Sequence, residues 1–168
     1  MDTATESRPE STVVVLLAGL QAGMTGTLWM LAWMGISSSW KRLSFWTFEN
    51  LMATAFYGGS ALEPGFSSRT VSGAALAIVI YTALGAAFAI ATKRPMPRVR
   101  VLLLGILFGV SWYYLSFRLL WKGAMPLVAM LHPTQPTLFG HLIYGATLGR
   151  MLPRCRTGPQ ACPNADPL

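Results

Sequence analysis

Charged side chains are scarce in this sequence. They make up only 11% of its 168 residues, whereas hydrophobic residues make up 53%. Because a soluble domain carries roughly 25% charged residues, a chain this poor in charge lacks the side chains to cover a surface that faces water. The composition therefore excludes an ordinary soluble domain and predicts a surface that largely faces lipid.

Acidic residues are the scarcer sign, with six Asp and Glu against 13 Lys and Arg and a net charge of +7. An excess of basic charge can indicate a nucleic-acid-binding surface. Here, however, the basic residues form short clusters between apolar runs, which is typical of the flanks of membrane spans. We therefore expect the partners to be the lipid bilayer and other membrane subunits, or further copies of the chain, and no nucleic acid.

Residues that ligate metals or carry out catalysis are also few. Cys155 and Cys162 lie in the C-terminal tail without a nearby histidine, so they do not form a zinc-binding pattern. Ser111 lies in GVSW rather than in the Gly-x-Ser-Gly of intramembrane serine proteases. Since the sequence shows no nucleotide-binding loop either, we expect a protein that is not an enzyme and that carries no metal or cofactor.

Histidine occurs only at His132 and His141, which lie in the same region of the chain. A neutral imidazole can ligate haem iron or a pigment, but no second helix supplies a histidine for a bis-histidine haem. His141 is therefore the single candidate for cofactor binding. The alternative is that it forms hydrogen bonds within a helix bundle.

Long apolar runs dominate what remains. A bilayer core of roughly 30 Å requires about 20 apolar residues in a helix, and four runs approach that length. They predict an all-α fold, a polytopic bundle of about four transmembrane helices. The predicted spans cover 13–36, 71–92, 99–121 and 137–152, within a transmembrane domain 13–152 that follows a polar tail 1–12 and precedes a flexible tail 153–168.

The segment 40–57 between the first two runs is too polar to span but rich in aromatic residues, which favour the headgroup layer. We expect a helix that lies at the membrane surface. Trp40 and Trp46 are candidate anchors to lipid or to a partner protein. Arg118 and Lys122, near one end of the third span, are candidates for the same role, because long basic side chains extend towards the headgroups.

Small residues recur at helical spacing in every predicted span, which permits close helix packing. The candidate packing residues are Gly19, Gly23, Gly105, Gly109, Gly145 and Gly149. Short sequences from the four predicted spans also resemble each other in pairs: AGLQAG in the first span resembles LGILFG in the third, and IYTALG in the second resembles IYGATLG in the fourth. The likeness suggests two similar hairpins related by an axis along the membrane normal.

The distribution of basic residues predicts on which side of the membrane each loop lies. Four spans place both tails and the middle loop on one side. With Arg100 and Arg150 at the adjoining span ends, that side holds eight Lys and Arg, against five on the other. Basic residues favour the cytoplasmic side, so we expect both termini in the cytoplasm.

Polar groups within the spans are few, and all six acidic residues lie outside them. A proton-coupled carrier normally has a carboxylate at membrane depth, so this class is disfavoured. Gln21 and Ser111 are the candidates for a polar path across the bundle. The alternative for Gln21 is a hydrogen bond between helices.

The order of AGLQAGMTG, an aromatic region, GILFG and FGHLIYGATLGR resembles small bacterial inner-membrane proteins of the YagU type. These proteins also have a glycine-rich first span and an FGHL string at the start of the last one. The long aromatic loop of this chain departs from their pattern. The resemblance implies a multi-pass protein of the bacterial inner membrane and implies no reaction.

These observations favour a non-catalytic accessory or structural subunit of a larger membrane complex. One alternative is a small transporter or channel for a neutral solute, which could act as a homo-oligomer. Another is a haem or pigment carrier that binds its group through His141.

Overall fold

The computed structural model describes residues 12–93 and 96–156, with side chains described as far as residue 152. The two tails expected from the sequence fall largely outside these residues, and the side chains of both cysteines fall outside them as well. In the described part of the chain all regular structure is helical. The α-helices are α1 (Thr12–Trp40), α2 (Thr47–Tyr57), α3 (Ser68–Ala91), α4 (Arg98–Leu115), α5 (Trp121–Ala124), α6 (Pro126–Leu131) and α7 (Thr134–Arg156). A 3₁₀ turn, Gly58–Leu62, follows α2, and a π-helical turn, Ser116–Leu120, joins α4 to α5.

Three helical segments are long and apolar enough to cross a membrane: α1, α3 and the continuous segment Arg98–Ala124. They support the expected helical membrane protein. The fourth span is not among them, because α7 contains many polar and small residues. At 23 residues and 1.5 Å per residue it extends about 34 Å, which is enough to cross a bilayer.

Close backbone contact joins α1 to α3 in an antiparallel pair. Gly85 lies between Gly19 and Gly23, and a Cβ atom built on Gly85 would lie 2.5 Å from the Cα of Gly23. A Cβ built on Gly23 would lie 2.9 Å from the carbonyl oxygen of Tyr81. Larger side chains at these positions would therefore force the two backbones apart.

Helices α4 and α7 form a second antiparallel pair by the same means. Gly145 lies between Gly105 and Gly109, while a Cβ built on Gly149 would lie 2.8 Å from the carbonyl oxygen of Val101. All six glycines that the sequence analysis selected thus lie at one of these two helix contacts. The two pairs also correspond to the two similar hairpins that the repeated strings suggested.

Helix α7 lies between α4 and α1. Its contact with α1 is also antiparallel, since Gly26 faces Tyr144 and Gly140 faces Met30. The indole Nε1 of Trp33 donates a hydrogen bond of 3.0 Å to the carbonyl oxygen of Pro136. Because neighbours cover α7 on two sides, the polar side chains in its middle, those of His141 and Tyr144, are buried, which explains why its sequence can be less apolar than that of the other long helices.

One end of the bundle contains the start of α1, the end of α3, the start of α4 and the end of α7. Lys93 Nζ donates a hydrogen bond of 3.1 Å to Thr12 Oγ1, and Gly149 lies against Leu102. We call this the Arg98 end. The α2 helix and the short helices α5 and α6 lie at the opposite end, which we call the α2 end.

Helix α2 differs from the expected surface helix. Its residues from Phe48 to Thr54 are all buried, whereas a helix lying flat on a membrane buries one face. Gly73 allows the α2 backbone to lie directly on α3 at the Glu49 carbonyl. Asn50 donates hydrogen bonds of 3.0 Å to the carbonyl oxygens of Glu63 and Gly65, which holds the following loop against the helix.

The glycine contacts predict a clear difference between two Gly→Leu substitutions. Gly109→Leu should destabilise the protein by about 1 to 3 kcal/mol, because the side chain would overlap α7 at the His141 carbonyl. Gly123→Leu is the matched control, since a Cβ built there meets no atom within 4 Å. Thermal unfolding in detergent is the measurement, and equal melting temperatures for the two variants would contradict the packing.

Candidate functional site

His141 is the centre of a buried polar cluster in the bundle, with only 1% of its surface exposed. Its Nδ1 lies 2.7 Å from the carbonyl oxygen of Thr137, one turn earlier on α7. A carbonyl only accepts hydrogen bonds, so Nδ1 carries the proton and Nε2 is the acceptor. The hydroxyl of Tyr81 on α3 then donates to Nε2 over 2.9 Å.

A second tyrosine completes the link between α3 and α7. The hydroxyl of Tyr144 donates a hydrogen bond of 2.6 Å to the carbonyl oxygen of Tyr81. The Tyr81 ring lies edge-on to both partners, with ring centroids 5.1 Å from Tyr144 and 5.6 Å from His141. Since Tyr81 and Tyr144 are 2% and 0% exposed, these rings fill the space between the helices.

The hydrogen bonds of His141 bear directly on cofactor binding. Both ring nitrogens have protein partners, so a haem or pigment metal could bind Nε2 only after displacing the Tyr81 hydroxyl. Across the described residues, no group of three or more His, Cys, Asp or Glu side chains is placed to hold a metal ion. The geometry fits a structural role in the bundle better than a ligand role.

A cavity of about 400 Å³ lies at the π-helical turn, and Arg118 and Lys122 are both on its wall. We call it the Arg118 pocket. His132 and Tyr113 also line it, and the His132 ring stacks on Phe117 with centroids 4.0 Å apart. A π-helical turn changes the direction of side chains within a helix and occurs often at functional sites.

The Arg118 pocket connects to the buried cluster through aromatic rings. The Tyr113 ring lies 5.4 Å from His141 and 6.2 Å from His132, measured between centroids. Two cationic side chains line the pocket and no carboxylate is among its described lining residues. Its chemistry therefore fits an anionic group, such as a lipid headgroup or a carboxylate of a partner protein.

The candidate residues for a polar path are not brought together. Gln21 and Ser111 are both exposed, on the outer surfaces of α1 and α4, and neither lines the His141 cluster. Of the two aromatic anchors, Trp40 is 80% exposed. The ring of Trp46 instead packs against Phe45 and Phe66, with centroids 5.0 Å apart in each case.

Tyr81 and Tyr144 were not selected from the sequence, although a signal was present. Each is the tyrosine of one of the two similar strings, IYTALG and IYGATLG. Two buried tyrosines beside the packing glycines indicate a polar contact inside the bundle. Their pairing with His141 depends on the relative position of α3 and α7, which the strings alone do not contain.

Glu49 is a buried acid outside the spans, with 3% of its surface exposed. Its Oε2 atom has no hydrogen-bond partner among the described residues. Burial in α2 raises the pKa of this carboxyl from 4.5 to about 7, against a smaller opposing effect of its own backbone N–H. Glu49 therefore gains and loses its proton near neutral pH.

Three helical segments long and apolar enough to cross a membrane, together with a buried helical core, indicate the class of this chain, a helical membrane protein. The chain belongs to a family of unknown function, DUF6789, whose model matches residues 13–162. This match covers nearly the whole chain and does not assign it to the YagU type that the FGHL string suggested. No curated protein and no solved structure is significantly similar to it.

The His141 cluster predicts a loss of stability in Tyr81→Phe. The variant leaves Nε2 of His141 buried without a donor, which should cost about 1 to 3 kcal/mol. Tyr57→Phe is the matched control, since that hydroxyl lies 3.1 Å from Ser72 Oγ at an exposed site. A double variant, Tyr81→Phe with His141→Leu, should lose less than the sum of the single variants; additive losses in thermal unfolding would argue against the hydrogen bond.

Glu49 predicts a pH dependence. The carboxyl of Glu49 keeps its proton up to about pH 7 in the folded protein, whereas it loses the proton near pH 4.5 in the unfolded chain. The free energy of unfolding should therefore fall as the pH rises from about 4.5 to about 7, and it should level off above pH 7. The loss is on the order of 3 kcal/mol, at about 1.4 kcal/mol per pKa unit.

In Glu49→Gln this fall should be absent when melting in detergent is followed from about pH 5 to pH 8. Glu63→Gln is the control, because the side chain of Glu63 is 79% exposed in its ion pair with Arg69. If the melting profiles of wild type and Glu49→Gln have the same pH dependence, the buried-acid interpretation is wrong.

Proposed function

We propose that this chain is a non-catalytic accessory or structural subunit of a larger membrane complex. The observation that supports the proposal most is the filled interior of the bundle. The side chains of Tyr81, His141 and Tyr144, which meet there, form hydrogen bonds with each other and with the backbone. Among the described span residues, the buried side-chain atoms without a partner are Thr82 Oγ1 and Trp112 Nε1. A carrier, in contrast, needs polar groups that remain available to a solute at mid-membrane.

The proposal includes α7 as a fourth span. Three observations support it: the helix is about 34 Å long, it lies antiparallel to both α1 and α4, and its central polar side chains, those of His141 and Tyr144, are buried. A helix covered in this way requires less apolar surface than one that faces lipid. With four spans, α1 begins and α7 ends at the Arg98 end.

We further propose that the Arg98 end is cytoplasmic, in a bacterial inner membrane, from the eight-to-five distribution of Lys and Arg. The YagU-type resemblance supports the same location. In a variant with both native cysteines replaced by serine, Gly59→Cys should react with a membrane-impermeant maleimide in intact cells. Lys93→Cys should react only after the cells are opened, and the opposite result would reverse the orientation.

Exposed aromatic residues at the α2 end are the proposed partner contact. Trp40 is 80% exposed, and Phe56 and Phe66 are 60% and 63% exposed. Such rings bury large apolar areas at protein interfaces. The Arg118 pocket lies at the same end of the bundle and adds two cationic side chains.

The transporter alternative receives less support from the geometry. Gln21 and Ser111 face outwards on separate helices, so a single copy does not align them along one path. These two side chains would meet only between copies of a homo-oligomer. The experiment below distinguishes such a homo-oligomeric transporter from an accessory subunit.

The proposal predicts that the full-length protein, extracted gently at native abundance, migrates with a larger complex in native electrophoresis. Trp40→Ser with Phe56→Ser should weaken this association, because both side chains are exposed and their loss leaves the core intact. Met130→Ser, at a site that is 79% exposed, is the control. The proposal fails if the protein migrates alone or as a homo-oligomer and Gln21→Leu abolishes a solute flux measured in liposomes.

A further inference from the structure

A long groove lies on the side of the bundle where α1, α4 and α7 meet. Its volume is about 910 Å³, which is in the range of ligand sites. Apolar side chains cover most of its length, among them Leu102 and Ile106 on α4 and Ile143 on α7. On α1 the groove is lined by Thr25, which is partly buried, and by Trp29, which is 61% exposed.

Two arginines stand at one end of this groove. Arg98, the first residue of α4, and Arg150, near the end of α7, both belong to its lining. Neither forms an ion pair or a hydrogen bond with any described residue, and both are exposed. Two guanidinium groups that have no ionic partner among the described residues stand at the mouth of an apolar groove, and they complement an anionic group that carries a long hydrocarbon chain.

The distribution of acids reinforces this charge. The carboxylates among the described residues, Glu49 and Glu63, both lie at the α2 end. Lys93 and Arg100 add further positive charge at the Arg98 end. In residues 12–93 and 96–152, therefore, nothing at this end competes with an external anion for the arginines.

We propose that this groove binds one anionic phospholipid, with its phosphate at Arg98 and Arg150 and an acyl chain along the apolar wall. The site is separate from the Arg118 pocket and does not depend on the accessory role proposed above. The proposal therefore gives the Arg98 end its own ligand, an anionic phospholipid.

The length of the groove favours a lipid over a helix of a partner subunit. On α4 the lining runs from Arg98 to Ile106, which is about 12 Å at 1.5 Å per residue. Half of a bilayer core is about 15 Å, so the groove matches the depth of one leaflet. A transmembrane partner helix would be expected to use a contact along the full core of about 30 Å.

Native mass spectrometry of the delipidated full-length protein tests the proposal. The probes are dioleoyl phosphatidylglycerol, which is anionic, and dioleoyl phosphatidylcholine, which is zwitterionic. Wild type should retain the anionic lipid preferentially. Arg98→Gln with Arg150→Gln should weaken that binding by about 30-fold, if each arginine contributes about 1 kcal/mol.

Lys41→Gln with Arg42→Asn is the matched charge control at the α2 end. Asn is chosen because Arg42 has a φ of 59°, a conformation that Asn tolerates. This control should change the affinity for phosphatidylglycerol by less than about twofold. An equal loss in both double variants would mean general electrostatic attraction and would overturn the site.

A third variant tests the apolar wall. Ala146→Phe places a ring in the groove and should weaken the binding of both lipids, while its thermal unfolding in detergent reports whether the bundle itself stays intact. Inorganic phosphate at the same concentration should not displace the lipid. If a folded Ala146→Phe binds phosphatidylglycerol normally, or if phosphate alone competes, the acyl chain does not occupy the groove and the proposal is wrong.

Discussion

Close backbone contact at paired glycines is the constraint on which the rest of this bundle depends. Lipid tails are as apolar as leucine side chains, so apolar burial alone does not drive helices together within a bilayer. Gly85 between Gly19 and Gly23, and Gly145 between Gly105 and Gly109, let two helix pairs approach until backbone meets backbone. Dispersion attraction between the two backbones then stabilises each pair, and it requires surfaces without side chains.

The position of α7 follows from these contacts and in turn sets its chemistry. Once α4 and α1 cover α7 on two sides, a histidine and a tyrosine on it can be buried if their polar atoms find partners. Tyr81 supplies one such partner from α3 to His141, and its carbonyl accepts from Tyr144. The bundle interior is thus held by packing between neighbouring helices and by hydrogen bonds between α3 and α7.

Composition and residue spacing predict those features of the fold that depend on local sequence alone. The length of an apolar run indicates a membrane span, and this predicts α1, α3 and the segment after Arg98. The helical spacing of the glycines predicts the packing contacts. The burial of α2 depends instead on Gly73 and Asn50, which bring together two elements separated by a loop. The Tyr81–His141 contact, between residues 60 positions apart, likewise depends on how α3 and α7 are placed.

A filled interior restricts where this protein can recognise other molecules. Side chains that are hydrogen-bonded to each other in the core are not available to a ligand, and the lipid-facing apolar surface offers little selectivity by itself. The uncompensated charges of the described residues lie at the two ends, with Arg118 and Lys122 at one and Arg98 and Arg150 at the other. Charged groups gain most where an apolar surface beside them excludes water, and both cavities provide such a surface. Recognition by this bundle should therefore take place at its ends, at the level of the headgroups, with the core acting as the rigid support that fixes the distance between them.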